Sequence, residues 1–310
     1  AVGYNSGLSV TTGQSNSLVG YAAGDALTTG FANTVLGSAA LSTEDTGRYN
    51  VAIGAGTLEN QNNDVDNYNV AVGYNAGNAV TTGINNTLIG GLAGDALTEG
   101  TNNVAIGFEA LSTEDGHGQN VAVGYQALKI LNAGANGQNT AVGYQAGAAM
   151  TTGIISTFVG SFAGDAQTSG SRNVGIGYAA LSGNTLGKRN VAVGGGALET
   201  FNLSTDTNGY NTAVGHEAGN AVTTGIQNTL IGALAGDALT DADYNVAMGV
   251  SALGTDTLGS RATALGFATL ANQNFSSATD NYNVAVGFQA GNAVTTGVEN
   301  VLIGGLAGDA

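Results

Sequence analysis

Cysteine, proline and tryptophan are absent from this 310-residue chain, and only 9% of its residues are charged. Without cysteine there is no disulfide framework and no thiolate metal site. Without proline, and without a glycine at every third position, a collagen helix is excluded. Six Lys and Arg stand against 22 Asp and Glu, a net charge of −16. That balance leaves almost nothing to neutralise phosphates, so neither nucleic acid nor an anionic membrane is an expected partner. No apolar run nears the roughly 18 residues that cross a bilayer, and no secretory leader is read at the start, so no membrane insertion is expected.

What is abundant is glycine, with 52 residues. One glycine recurs as a marker: Gly3, Gly20, Gly37, Gly54, Gly73, Gly90, Gly107, Gly124, Gly143, Gly160, Gly177, Gly194, Gly215, Gly232, Gly249, Gly266, Gly287 and Gly304. The eighteen copies are spaced by 17, 17, 17 and 19 residues in two rounds, then by 17, 17, 17 and 21 in two more. Such a period predicts a solenoid, whose units bury their apolar faces only by stacking on neighbours. The expected fold is therefore all-β, a parallel β-solenoid of about eighteen 17–21-residue coils. No linker or change of composition interrupts the period, so residues 1–310 read as one continuous array. The period is already running at both ends, which reads as a segment of a longer fibre.

Within a coil, the residue before the marker is apolar in all eighteen copies, as in Val72, Ile89, Ile106, Val159, Met248 and Ile303. Two places before it stands another column that is never polar, and three places before it Val or Thr, with Ser17 the exception. This is a short β-strand. Neighbouring strand residues point to opposite faces, so one apolar column fills the interior and the other must point out. The column two places before the glycine, namely Ala71, Leu88, Ala105, Ala122, Ala141, Phe158, Leu230 and Leu302, is assigned to the outward stripe. An apolar stripe of that length needs a cover, and the simplest is the same stripe on identical chains, giving a cyclic oligomer with the stripes meeting at a central axis.

Alanine follows the marker by three residues in fifteen of eighteen coils, Ser6, Thr57 and Thr269 being the exceptions. A second glycine lies ten residues past the marker, at Gly13, Gly30, Gly83, Gly100, Gly153, Gly225 and Gly297, with Asp66, His117, Asn136, Asn208 and Asp280 in the corresponding turns elsewhere. These types tolerate positive φ, which predicts a left-handed turn there. Asparagine closes fifteen of seventeen coils; Asn33, Asn50, Asn86, Asn103, Asn120, Asn173, Asn228 and Asn300 are the type cases, and Ser156 and Ala262 break the run. Stacked amides can bond along the array as a structural ladder, and the same row could hold a glycan.

The coils form super-repeats of 70, 70, 72 and 72 residues. Every fourth coil carries a long loop, at 58–69, 128–139, 198–211 and 270–283. At about 4.8 Å per coil such loops recur every ~19 Å along an array of ~85 Å, and recognition should concentrate on them.

Other apparent motifs weaken against the period. Gly175 with Gly177, and Gly194 to Gly196, lack the following helix and lysine of a nucleotide loop. His117 and His216 have no partner spacing for a metal or a catalytic dyad and read as solvated. The GDA aspartates Asp25, Asp95, Asp165, Asp237 and Asp309, and the loop pair Asp64 with Asp66, could supply the oxygens calcium requires, although a turn-capping aspartate needs no metal. Beyond this possible calcium no cofactor is expected. Paired threonines such as Thr11–Thr12 and Thr81–Thr82 suggest ice binding, yet they fall mainly in one coil of four. Arg48, Lys188, Arg189 and Arg261 sit near closing turns where local charge pairing is expected. No acidic pair breaks the repeat, so no glycosidase centre and no enzyme is expected.

The unit VAIGxxA…GxxN, clearest at Val104 to Ala110, resembles the head repeats of YadA-like trimeric autotransporter adhesins, though its coil is longer than that family's. The wording NTAVGYQA at Asn139 to Ala146, and its near copy at Asn211 to Ala218, is similar to repeats of bacteriophage tail fibres and related bacterial surface proteins. The resemblance covers essentially the whole chain. It implies a parallel left-handed β-roll in a homotrimer, extracellular on a virion or cell surface, that carries attachment to a host-surface glycan or protein or serves as a stiff spacer. The alternative is an extracellular filament of β-solenoids assembling end to end, with a purely structural role.

Overall fold

From the second marker glycine onward, each coil of the computed structural model contributes one three-residue strand, ended by its marker glycine; at the first marker Val2 forms only an isolated bridge to Val19. The structure describes residues 1–309 and divides into two units, Ala1–Ile155 and Ser156–Ala310. In the first unit the strands are β1 (Ser17–Val19), β2 (Thr34–Leu36), β3 (Val51–Ile53), β4 (Val70–Val72), β5 (Thr87–Ile89), β6 (Val104–Ile106), β7 (Val121–Val123) and β8 (Thr140–Val142). In the second they are β9 (Thr157–Val159), β10 (Val174–Ile176), β11 (Val191–Val193), β12 (Thr212–Val214), β13 (Thr229–Ile231), β14 (Val246–Met248), β15 (Gly259–Ser260), β16 (Thr263–Leu265), β17 (Thr279–Asp280), β18 (Val284–Val286) and β19 (Val301–Ile303). Apart from the small β15–β17 pair, each strand pairs in parallel with the strand of the next coil in its own unit. The register equals the repeat length, as in Val70↔Thr87 and, across a long loop, Val191↔Thr212. Both units are thus parallel β-solenoids, and no helix occurs among the described residues.

The assignment of faces is corrected by the structure. Ala71, Leu88, Ala105, Ala122, Ala141, Phe158 and Leu230 are fully buried in their own unit, and Leu302 packs against the same core. They point inward. The column that points out is the one directly before the glycine, including Val19, Leu36 and Ile89. The reason is volume: the lumen of so short a coil also receives the alanine column (Ala76, Ala93, Ala110) and further large side chains such as Leu58, Val80, Leu97, Leu111 and Met150. A middle residue must therefore be small or matched, as where Phe158 lies opposite Gly175 in the β9–β10 register.

The second glycine also has a different cause from the one expected. None of Gly13, Gly30, Gly83 and Gly100 is left-handed, and neither are Asp66, His117, Asn208 and Asp280. A β-carbon at Gly13 would strike the carbonyl of Gly30 in the next coil. Close approach, not φ, selects glycine there. The left-handed residue is the one before the closing asparagine, for example Ser15 (φ 57°) and Tyr49 (φ 61°), and likewise Arg261 (φ 66°) before Ala262.

The closing asparagines form ladders inside each unit. Asn86 accepts at Oδ1 from the Asn103 N–H at 2.9 Å and donates from Nδ2 to the Gly100 carbonyl at 2.8 Å. Asn33, Asn50, Asn120, Asn228 and Asn300 repeat the backbone contact at 2.9–3.1 Å. At the two breaks the pattern adapts. Ser156 offers its hydroxyl to the Asn173 N–H at 3.3 Å, while Ala262 offers nothing and the Asn283 N–H turns to Asn281 Oδ1 at 2.9 Å. Each rung satisfies buried backbone groups that a solenoid turn would otherwise leave unpaired.

Candidate functional surfaces and the buried acids of the third coil

The sheet face of each unit carries two outward columns, Val or Thr (Ser17 once) three places before the marker and Val, Ile, Leu or Met directly before it. In the first unit Val19, Leu36 and Ile89 are 40%, 49% and 37% exposed; in the second Ile176 and Met248 are 38% and 42% exposed. Beside it, one residue past the marker, aromatic rings stack from coil to coil: Tyr4 on Tyr21 (5.6 Å), Phe108 on Tyr125 (5.8 Å), Tyr125 on Tyr144 (5.2 Å) and Phe267 on Phe288 (5.4 Å). The exposed apolar residues of the chain are thus gathered largely on and beside this face.

The calcium candidates are not gathered into one site. Asp64 accepts from the Thr46 hydroxyl at 2.6 Å and Asp66 pairs with Arg48 at 3.2 Å. Asp25, Asp95, Asp165 and Asp237 recur singly, one per second-type coil, each with a buried carboxylate oxygen that has no hydrogen-bond partner. Burial raises the pKa of Asp95, Asp165 and Asp237. Among the described residues, the one group of three ligand-bearing side chains close enough to share an ion is Glu114, Asp115 and His117.

That group lies in the third coil, where every super-repeat buries a polar residue at one position: Glu44, Glu114, Asn184 and Asp256, all fully buried. Each caps the turn by accepting the N–H three residues on, from Gly47 (2.7 Å), His117 (3.3 Å), Gly187 (3.0 Å) and Gly259 (3.0 Å). The acids also reach the long loop of the following coil. Glu44 accepts from the Asn63 N–H (3.2 Å) and Asn67 Nδ2 (3.1 Å), and Asp256 from Gln273 Nε2 (2.6 Å). Burial pushes the Glu44 and Glu114 carboxyls up, against the hydrogen bonds that hold them down. His117, which reads as solvated in the sequence, sets Nδ1 3.2 Å from Glu114 Oε1. The spacing Glu-x-x-His inside a turn was the available signal, but nothing in the sequence says that the glutamate is buried.

The remaining polar residues serve neighbouring coils. Thr11, Thr81 and Thr223 spend their hydroxyls on the next coil's carbonyl, which breaks up an ice-binding row. Arg48 lies over Phe31, and Arg261 over Tyr244 while pairing with Asp280 at 2.9 Å. Lys188 pairs with Asp206 at 2.6 Å. Exposed pairs like these contribute about 0–1 kcal/mol. No protein-family model, curated protein or solved structure matches this chain.

Proposed function

We propose that the chain is a non-enzymatic attachment segment of a surface fibre, extracellular on a virion or cell, that its solenoid is left-handed, and that its copies associate as a homotrimer through the outward strand column. The supporting observation is the composition of that column. It holds only Val, Ile, Leu and Met at all eighteen markers, and every one of them keeps part of its surface in solvent, Val19, Leu36, Ile89, Ile176 and Met248 the most among the interior coils. Three copies meeting along this face would bury it about a common axis, leaving the long loops free on the outside for a host-surface glycan or protein. The resemblance to YadA-like heads and tail-fibre repeats supports the same assembly. Electron microscopy of the purified chain is the test. Discrete particles of constant length and threefold mass support the reading, whereas indefinitely long filaments replace it with an end-to-end structural solenoid.

A further inference from the structure

The geometry points to a binding site for one borderline divalent metal ion, of the Zn²⁺ or Co²⁺ class, formed by Glu114, Asp115 and His117. Their ligand atoms all lie within 4.8 Å of one another. His117 Nδ1 is 3.2 Å from Glu114 Oε1 and 4.0 Å from Asp115 Oδ1. Ligands about 2.0–2.1 Å from a tetrahedral ion stand roughly 3.3 Å apart, so the first separation already fits and the second closes by a side-chain rotation. One imidazole nitrogen with two carboxylates suits zinc or cobalt better than calcium, which prefers oxygen alone.

The equivalent third coils set this cluster apart from ordinary surface acids. Glu44 and Glu114 are both fully buried, but Glu44 is held by the Gly47 N–H at 2.7 Å and the Asn67 amide at 3.1 Å. At Glu114 the amide is gone, because Gly137 takes the place equivalent to Asn67. The backbone N–H groups retreat to 3.3 Å from His117 and 3.4 Å from Ala133. The buried carboxylate thus has weakened donors, and the vacated role falls to a ring that appears only here, at the position of Gly47, Gly187 and Gly259. The backbone carrying the ring is fixed from both sides: Asn103 Nδ2 donates to the His117 carbonyl at 3.1 Å, and the Gly118 N–H to Asn136 Oδ1 at 3.2 Å. The His117 and Asp115 side chains are 30% and 55% exposed, so water reaches the site to complete the coordination.

The test is titration of the full chain with Co²⁺, followed by its visible absorption and by competition with Zn²⁺. Variants His117→Gly and His216→Ala are run alongside, with circular dichroism to verify the fold. Glycine at 117 is what the equivalent turns carry, so that variant should fold. The expected result is one Co²⁺ per chain with a nitrogen-containing coordination spectrum, at least tenfold weaker binding in His117→Gly, and no change in His216→Ala. Absence of stoichiometric binding to the native chain, or equal binding by His117→Gly, overturns the site, as does an equal loss in His216→Ala.

Discussion

The two faces of the same strand obey different rules. The inward residue ranges from Gly175 through Ala122 and Leu88 to Phe158, whereas the outward residue that follows it stays within Val, Ile, Leu and Met. The inward column varies because each side chain is fitted to the next coil, large beside small, at the packing density of a protein interior. The outward column is stacked on the next coil in the same register, as in Val72↔Ile89, yet it stays partly exposed; in the proposed trimer its uniformity answers to a second copy. A soluble monomer would tolerate Thr, Lys or Glu there.

Breaking the inward side should have the largest effect. Ala122→Asp places an unpaired charge in a site with no exposure and is expected to unfold its unit, not to separate subunits. Phe158→Ala should cost about 3–5 kcal/mol, because Gly164 and Gly175 line the ring and leave no atoms to fill the void. Urea unfolding followed by circular dichroism measures both, and a native midpoint for either would overturn the face assignment.

A smaller effect distinguishes the polar interior from the apolar one. Glu44 and Glu114 have pKa values raised by burial above the ordinary 4.5. A carboxyl raised in the folded state contributes stability that is complete below its unfolded pKa and is lost as pH rises through the folded value. Glu44→Gln with Glu114→Gln should therefore flatten the decline in urea midpoint as pH rises above 4.5. The amide introduced by Glu44→Gln can also satisfy the loop, since the buried Asn67 Oδ1 lacks a donor and an amide flip would present it. An unchanged pH slope would contradict the role assigned to the buried acids.

Much of the fold is legible in the sequence because a repeat averages away local ambiguity. The glycine period sets the coil, and the recurring asparagine announces a ladder whose rungs the structure shows. The direction of the two apolar columns is not legible, because Ala71 and Val72 are both apolar and a strand's alternation gives opposite faces without saying which is inside. Lumen volume decides it, and volume is a property of the closed coil. Gly13 reads as a left-handed turn when the constraint is a carbonyl one coil away. His117 reads as solvated because its partner's burial depends on the long loop folding over Glu114.

The outward column is the central claim, and its most direct test is the solution mass of the native chain beside the double variant Val72→Asp, Ile106→Asp, by sedimentation equilibrium. The native chain should sediment at three times its 30.3 kDa, and the variant at the mass of one chain with its circular dichroism unchanged. A native chain that sediments as a monomer, or a variant that keeps the threefold mass, would contradict the account.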